Sequence, residues 1–139
     1  MKRVSPKEAK ALMEDGWTYL DVRSEPEFQA GHPAGALNIP LLNAGPVGLS
    51  PNPDFVRVVT SVFATDAKIV VGCKSGGRSL NAAGILERSG YASIVDQRCG
   101  FGGARDAQGQ VIERGWLDEN LPVETGRPAG RAYEYLLKK

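Results

Sequence analysis

Residues 67–90 read AKIVVGCKSGGRSLNAAGILERSG, and the fold follows from this stretch. AKIVVGC is a short continuous apolar run, the pattern of a strand buried on both faces. SLNAAGILERSG then offers Leu80, Ala83, Ile85 and Leu86 for packing on a helix, with Gly90 placed as its C′ residue. Between the two lies CKSGGRS, a cysteine followed by small and basic residues. A buried strand, a tight loop and a helix make one half of a βαβ unit.

The rest of the chain keeps that rhythm. Ser5-Pro6-Lys7-Glu8 carries a capping serine, a proline at the first helical position and a glutamate three residues after the cap, which predicts a helix through Met13 that stops near Gly16. WTYLDV is rich in β-formers and reads as a strand ending at Asp21. SEPEF repeats the cap-then-glutamate pattern, and Ala36–Ile39 reads as a brief strand. PLLNAGPVGLSPNP is expected to be a loop that closes on Asn52-Pro53, a cap and first-turn proline. The helix after it should bury Phe55, Val56, Val59, Val62 and Phe63 on one face. YASIV is a further strand, and AGRAYEYLLKK is expected as a terminal helix. Strand, helix, strand in this order means a parallel α/β sheet with right-handed crossovers.

With 139 residues and no repeat or dividing linker, the chain is expected to form one domain, residues 1–139. Apolar residues at 42% and charged residues at 24% exclude a disordered chain. A formal net charge of +1 gives no case for nucleic acid or a membrane surface as partner. There is no long apolar run and no secretion signal, and the two cysteines make no disulfide framework; a reducing, cytoplasmic setting is the expectation.

Cys73 falls at the carboxyl end of its strand, where open parallel sheets place their ligand sites. Gly76 and Gly77 let successive N–H groups turn inward as an anion-binding nest, and the helix that follows directs its N-terminus at the same place. Lys74 and Arg78 add charge. All of these favour a thiolate over a thiol and bind an incoming anion. The bland reading, a small buried residue at a strand end, loses to this combination. Zinc lacks soft ligands, a phosphate-binding P-loop lacks its Gly-Lys-Ser/Thr, and a triad has only His32 to draw on as base. No metal and no cofactor are expected.

Four separated motifs resemble the single-domain rhodaneses, a family of sulfurtransferases. DVRSEPEF (21–28) is similar to the family's first-strand motif, and GHPAGALNIP (31–40) to its Gly-His-x-x-Gly-Ala-x-Asn-Ile-Pro stretch. CKSGGRS (73–79) is similar to its Cys-x-x-Gly-x-Arg-Ser loop, and LPVETG (121–126) to its closing strand and turn. The resemblance implies an α/β fold with a five-stranded, mainly parallel sheet and helices on both faces. It further implies Cys73 as sulfur carrier. The donor would be a small anion such as thiosulfate and the acceptor cyanide or a thiol, with a protein acceptor or a non-catalytic, partner-binding module as the alternative. Lys74, Ser75, Gly76, Gly77, Arg78 and Ser79 would hold the anion, and Asp21, Arg23 and Glu27 would support the loop. The cysteine-dependent phosphatases that share the fold have a loop one residue longer, wide enough for a phosphoryl group; the shorter loop here suits sulfur.

His32 resembles the family histidine and is expected to pack in a loop rather than transfer protons. Pro33 departs from the apolar residue usual after it. Cys99 is expected either as a resolving thiol for Cys73 or, with more weight, as a small residue in a glycine loop. QRCGFGGARD departs from the family pattern. Its arginines, with Arg114, either shape an acceptor's approach or form a solvated hairpin, and no site is assigned there.

Overall fold

The computed structural model describes residues 1–138. In chain order the elements are β1 (Lys2–Val4), α1 (Pro6–Glu14), β2 (Thr18–Asp21), α2 (Glu25–Ala30), β3 (His32–Pro33), β4 (Leu37–Asn38), β5 (Leu42–Gly45), β6 (Gly48–Pro51), α3 (Phe55–Val62), β7 (Lys68–Gly72), α4 (Gly77–Arg88), β8 (Ser93–Gln97), β9 (Ala104–Arg105), β10 (Val111–Glu113), β11 (Val123–Glu124) and α5 (Tyr133–Leu136). A five-stranded sheet in the order β1-β8-β7-β2-β4 forms the centre, and every neighbouring pair in it is parallel.

Alternation along the strands divides the core in two. Leu20, Ile69, Val71 and Ile94 face α3, α4 and α5, meeting Phe55, Val58, Val59, Ala82, Ala83, Leu86 and Leu136. Tyr19, Val70 and Val95 face the opposite way, onto Ala9 of α1, Phe28 of α2 and Trp116. Helices therefore cover both faces, and β7 is buried on each side as its continuous apolar run requires.

The local signals at the helix starts act as read. Ser5 accepts from the Glu8 N–H and Glu8 accepts from the Ser5 N–H, a complete capping box. Three expectations need correction. The segment after Pro40 folds as an antiparallel hairpin, β5–β6, whose second strand is fully exposed and so carries no apolar alternation. Asn52 is not the cap of α3: its side chain accepts from the Asp54 N–H and donates to the Pro40 carbonyl, forming a turn ahead of the helix. On α3, Val58 is buried in place of Val56, and on α4 Leu80 is exposed while Ala82 takes the core position. The terminal helix is short, and Lys139 lies outside the described residues.

Residues near the C-terminus are tied to the rest by Glu124. Its carboxylate receives the Gly35 N–H at 3.0 Å and the Arg131 guanidinium, and lies 3.0 Å from His32 Nε2. His32 is fully buried, stacked on Phe28, with Nδ1 donating to the Phe28 carbonyl; it packs as expected. Arg131, acting against partial burial and helped by Gly35 and His32, holds Glu124 at a pKa of about 2. A carboxylate depressed in the folded state stabilises above its unfolded pKa and loses that contribution as pH falls through the folded one. Glu124→Gln should therefore lower stability near pH 7 by about 1 kcal/mol, given its partial exposure, with the difference from wild type vanishing towards pH 2. Urea unfolding across pH tests this; a pH-independent difference would place the effect in packing instead.

Candidate active site

Two glycine-rich loops meet at the carboxyl ends of adjacent strands β7 and β8. The first, Cys73 to Gly76, leads into α4. Gly76 takes φ +108°, which an L side chain rarely adopts, and this turns its N–H onto Cys73 Sγ at 3.1 Å. Ser79 Oγ lies 3.4 Å from the same sulfur. The N–H groups of Lys74, Ser75, Gly77 and Arg78 make no hydrogen bond within the described residues. Those of Gly77 and Arg78 belong to the first turn of the twelve-residue α4, whose N-terminal amides have no partner within the helix.

The carbonyls of this loop are held from outside. Phe101 N donates to the Cys73 carbonyl at 2.7 Å, and Gly102 N to the Lys74 carbonyl at 2.8 Å. Gly76 O accepts from Leu80 N and from Arg3 Nη2, at 3.3 and 3.4 Å. Arg3 in turn donates through Nε to buried Asp96 at 2.7 Å. A β-carbon on Gly100 would run into the Cys73 carbonyl and the Lys74 peptide, so only glycine permits the approach. This second loop is itself pinned by Trp116 N on Gly100 O and by Gln97, which bonds Gly100 O through its amide and Tyr19 through its carbonyl.

Charged side chains frame the first loop. Glu27 binds Arg78 through both oxygens, at 2.8 and 2.9 Å, and accepts from the Ser24 N–H and hydroxyl at the start of α2. Burial raises the Glu27 pKa, but the bonds from Arg78 and Ser24 outweigh it and hold the carboxyl at about 2. Arg23 pairs with Asp21 through Nε and Nη2, donates to the Gly31 carbonyl, and lies 4.6 Å from the centre of the Phe101 ring. Lys74 is exposed and joins no ion pair among the described residues.

Lys74, Ser75, Gly76, Gly77, Arg78 and Ser79 thus lie on the Cys73 loop and the start of α4. Glu27 meets the loop through Arg78, and Asp21 lies opposite Gly72 on the neighbouring strand, whereas His32 packs away from the loop against Phe28 and Glu124. Glu27 partners Arg78, while Arg23 takes Asp21. The reading missed the support from behind, namely Gly100, Phe101, Gly102, Arg3 and Asp96. The run of glycines at 100, 102 and 103 was the signal available, since close backbone approach needs them.

Cys99, like Cys73, is a buried free thiol. Its Sγ donates to the Arg114 carbonyl at 3.1 Å, and burial, with Glu113 nearby, pushes its pKa up to about 12.

The rhodanese-like domain model matches residues 5–106. The chain belongs to the rhodanese-like family. It is 45% identical over 93 residues to thiosulfate sulfurtransferase 16, chloroplastic, of Arabidopsis thaliana, covering 67% of this chain and 78% of that one. It is 35% identical over 116 residues to senescence-associated protein DIN1 of Raphanus sativus, covering 84% of this chain and 57% of that one. The crystal structure of Rv0390 from M. tuberculosis shares the rhodanese-like fold with a TM-score of 0.76 at 24% identity, over 91% of this chain and 98% of that one. No helix among the described residues is long and apolar enough to cross a membrane. The chloroplastic relative lends no support to the cytoplasmic expectation.

Two outcomes follow from the geometry. Gly100→Ala should destabilise by at least about 2 kcal/mol, from a strained positive φ and a backbone collision, read by urea unfolding; a neutral result would mean that the second loop can move off the first without cost. Iodoacetamide on the native protein near pH 8 should label Cys73 and leave Cys99 untouched until the chain is unfolded, as peptide mass spectrometry would show.

Proposed function

We propose that this rhodanese-like chain is a sulfurtransferase that carries sulfane sulfur on Cys73. The carrying observation is the state of the loop's N–H groups: that of Gly76 donates to Cys73 Sγ, and those of Lys74, Ser75, Gly77 and Arg78 have no acceptor among the described residues. An enclosure of amides at a helix N-terminus stabilises negative charge at a sulfur and on a small anion beside it. The relative named a thiosulfate sulfurtransferase supports thiosulfate as donor.

In the first half-reaction the Cys73 thiolate attacks the outer sulfur of thiosulfate. A bond forms from Sγ to that sulfur, the sulfur–sulfur bond of thiosulfate breaks, and sulfite leaves with the electron pair. Cys73 is left as a persulfide anion. In the second, cyanide or a thiolate attacks the outer sulfur, and the Sγ–S bond breaks with its pair returning to Sγ. Both halves hold negative charge in one place, so one nest serves both.

The surrounding residues have separate tasks. Gly76, Gly77, Lys74, Ser75 and Arg78 supply backbone N–H groups. The Ser79 hydroxyl lies within reach of Sγ and of the Gly76 carbonyl, 3.3 Å away, and turns to donate to the sulfur when Cys73 is ionised. The Lys74 ammonium brings the free positive charge. Arg78 has both terminal nitrogens on Glu27, so it fixes the loop's exit into α4 more than it binds the donor. Asp21 and Arg23 hold Phe101 and the Gly31 turn beside the loop.

Thiosulfate treatment should raise the intact mass by about 32 Da, one sulfur atom, and cyanide should remove it. Cys73→Ser should gain nothing, whereas Cys99→Ser should load like the wild type. A wild-type protein that stays at its original mass, or a Cys73→Ser variant that still loads, would overturn the assignment.

A further inference from the structure

Resting on the sulfurtransferase reading, we infer that the cleft between the Cys73 loop and the β9–β10 hairpin is an acceptor site for a small thiol bearing carboxylates, with Arg105 as its specificity-determining residue. The cleft measures about 470 Å³ and is lined by Lys74, Ser75, Gly102, Gly103, Ala104 and Arg105. That is the size of sites that hold small organic molecules. It is far more than thiosulfate or cyanide needs, and the donor anion already has the amide nest.

The charges in the cleft have one sign. Its lining contains two cations and no carboxylate. Arg105 donates from Nη1 to the Gly109 carbonyl at 3.0 Å, which closes the hairpin turn, and neither Arg105 nor Lys74 is in an ion pair among the described residues. Arg98, on the same segment of the chain, differs: Glu113 receives its Nε at 3.0 Å. The segment thus neutralises one arginine and leaves another open beside the loop.

The Lys74 stem passes along the floor that Gly102 forms. A β-carbon at Gly102 would lie 3.4 Å from Lys74 Cγ and 3.8 Å from Cε, so the lysine stem runs across this glycine. Its ammonium borders both this cleft and a second one of about 330 Å³, where Phe101 and half-exposed Leu117 give an apolar wall. Lys74 and Ser75 directly follow Cys73 in the chain, so the cleft opens at the edge of the Cys73 loop.

The chemistry explains why cations belong there. The acceptor reacts as a thiolate, RS⁻, with the persulfide anion of Cys73. It forms an RS–S bond while the Sγ–S bond breaks, leaving RSS⁻ and the Cys73 thiolate. Two anions must approach each other, and carboxylates add more negative charge. Lys74 and Arg105 offset that repulsion and favour an anionic acceptor over a neutral one.

The test compares glutathione, which carries carboxylates, with dithiothreitol, which carries none, as acceptors for thiosulfate-derived sulfur. R105E should raise the KM for glutathione about tenfold or more, and R105Q by a smaller factor, with the KM values for dithiothreitol and thiosulfate unchanged. Added salt should weaken glutathione use in the wild type more than dithiothreitol use. An unchanged KM for glutathione in R105E, or equal losses with both acceptors, would overturn the inference. Intact mass after thiosulfate separates the two levels. A wild type that gains sulfur but shows no Arg105 discrimination loses only the acceptor site. A wild type that gains none loses the sulfurtransferase reading and this inference with it.

Discussion

A peptide that turns its N–H inward turns its C=O outward, because the trans amide fixes the two in opposition. The Cys73 loop depends on this constraint. Its amides can face the sulfur only if its carbonyls find donors elsewhere, since a buried carbonyl without a partner is costly. Phe101 N and Gly102 N supply two of those donors, and Arg3, Leu80 N and Ser79 gather at the Gly76 carbonyl. The segment from Cys99 to Gly103 is therefore the outer half of the site, although none of its side chains touches Cys73 Sγ through a hydrogen bond. The sheet order makes this possible. Strands β7 and β8 are neighbours in parallel register, so the loops that leave their carboxyl ends start side by side.

Side-chain charge follows the same division. Arginines near the nest are matched by carboxylates: Arg78 by Glu27, Arg23 by Asp21, Arg3 by Asp96. These pairs hold geometry, each joining two elements or closing a turn, and they add little net charge to the interior. Forked guanidinium contacts suit that task, since two parallel bonds fix an orientation that a single ammonium would leave free. What remains positive is backbone: the amide dipoles and the N-terminus of α4, with Lys74 at the rim. Dipoles set in the fold need no reorganisation when negative charge beside them moves, which is what the proposed passage of Cys73 between thiolate and persulfide would require.

The difference between what the sequence revealed and what it hid has a physical origin. Strand β7, the Cys73 loop and α4 were legible because apolar periodicity, glycine pairs and helix-end chemistry act within a few residues. The capping boxes at Ser5 and Ser24 were legible for the same reason. The β5–β6 hairpin was not, because Gly48–Pro51 is exposed throughout and leaves no alternation to read. Val56 and Val58 flank the Phe55–Val59–Val62 stripe at similar angles, so periodicity does not choose between them, and the packing against the sheet buries Val58. The support from Arg3 crosses 73 residues to Gly76 and 93 to Asp96. No local pattern marks such a contact, and the strap at Gly100–Gly102 acts through backbone amides that every residue type possesses.

The two cysteines show how far backbone direction, rather than residue type, decides chemistry. Both are nearly inaccessible, and both stand where a strand gives way to a glycine-rich turn, on neighbouring strands of one sheet. Beside Cys73 the Gly76 peptide presents its N–H, so the sulfur is a hydrogen-bond acceptor. Beside Cys99 the Arg114 peptide presents its C=O, which takes the S–H, and Glu113 lies near enough to oppose ionisation further. The positive φ of 62° at Cys99 belongs to the same turn that brings Gly100 against the Lys74 peptide. The conformation that keeps Cys99 protonated is thus the one that pins the carbonyls of the Cys73 loop. A chain that keeps both thiols out of water gives one sulfur a backbone N–H and the other a backbone C=O by pointing adjacent amides in opposite directions.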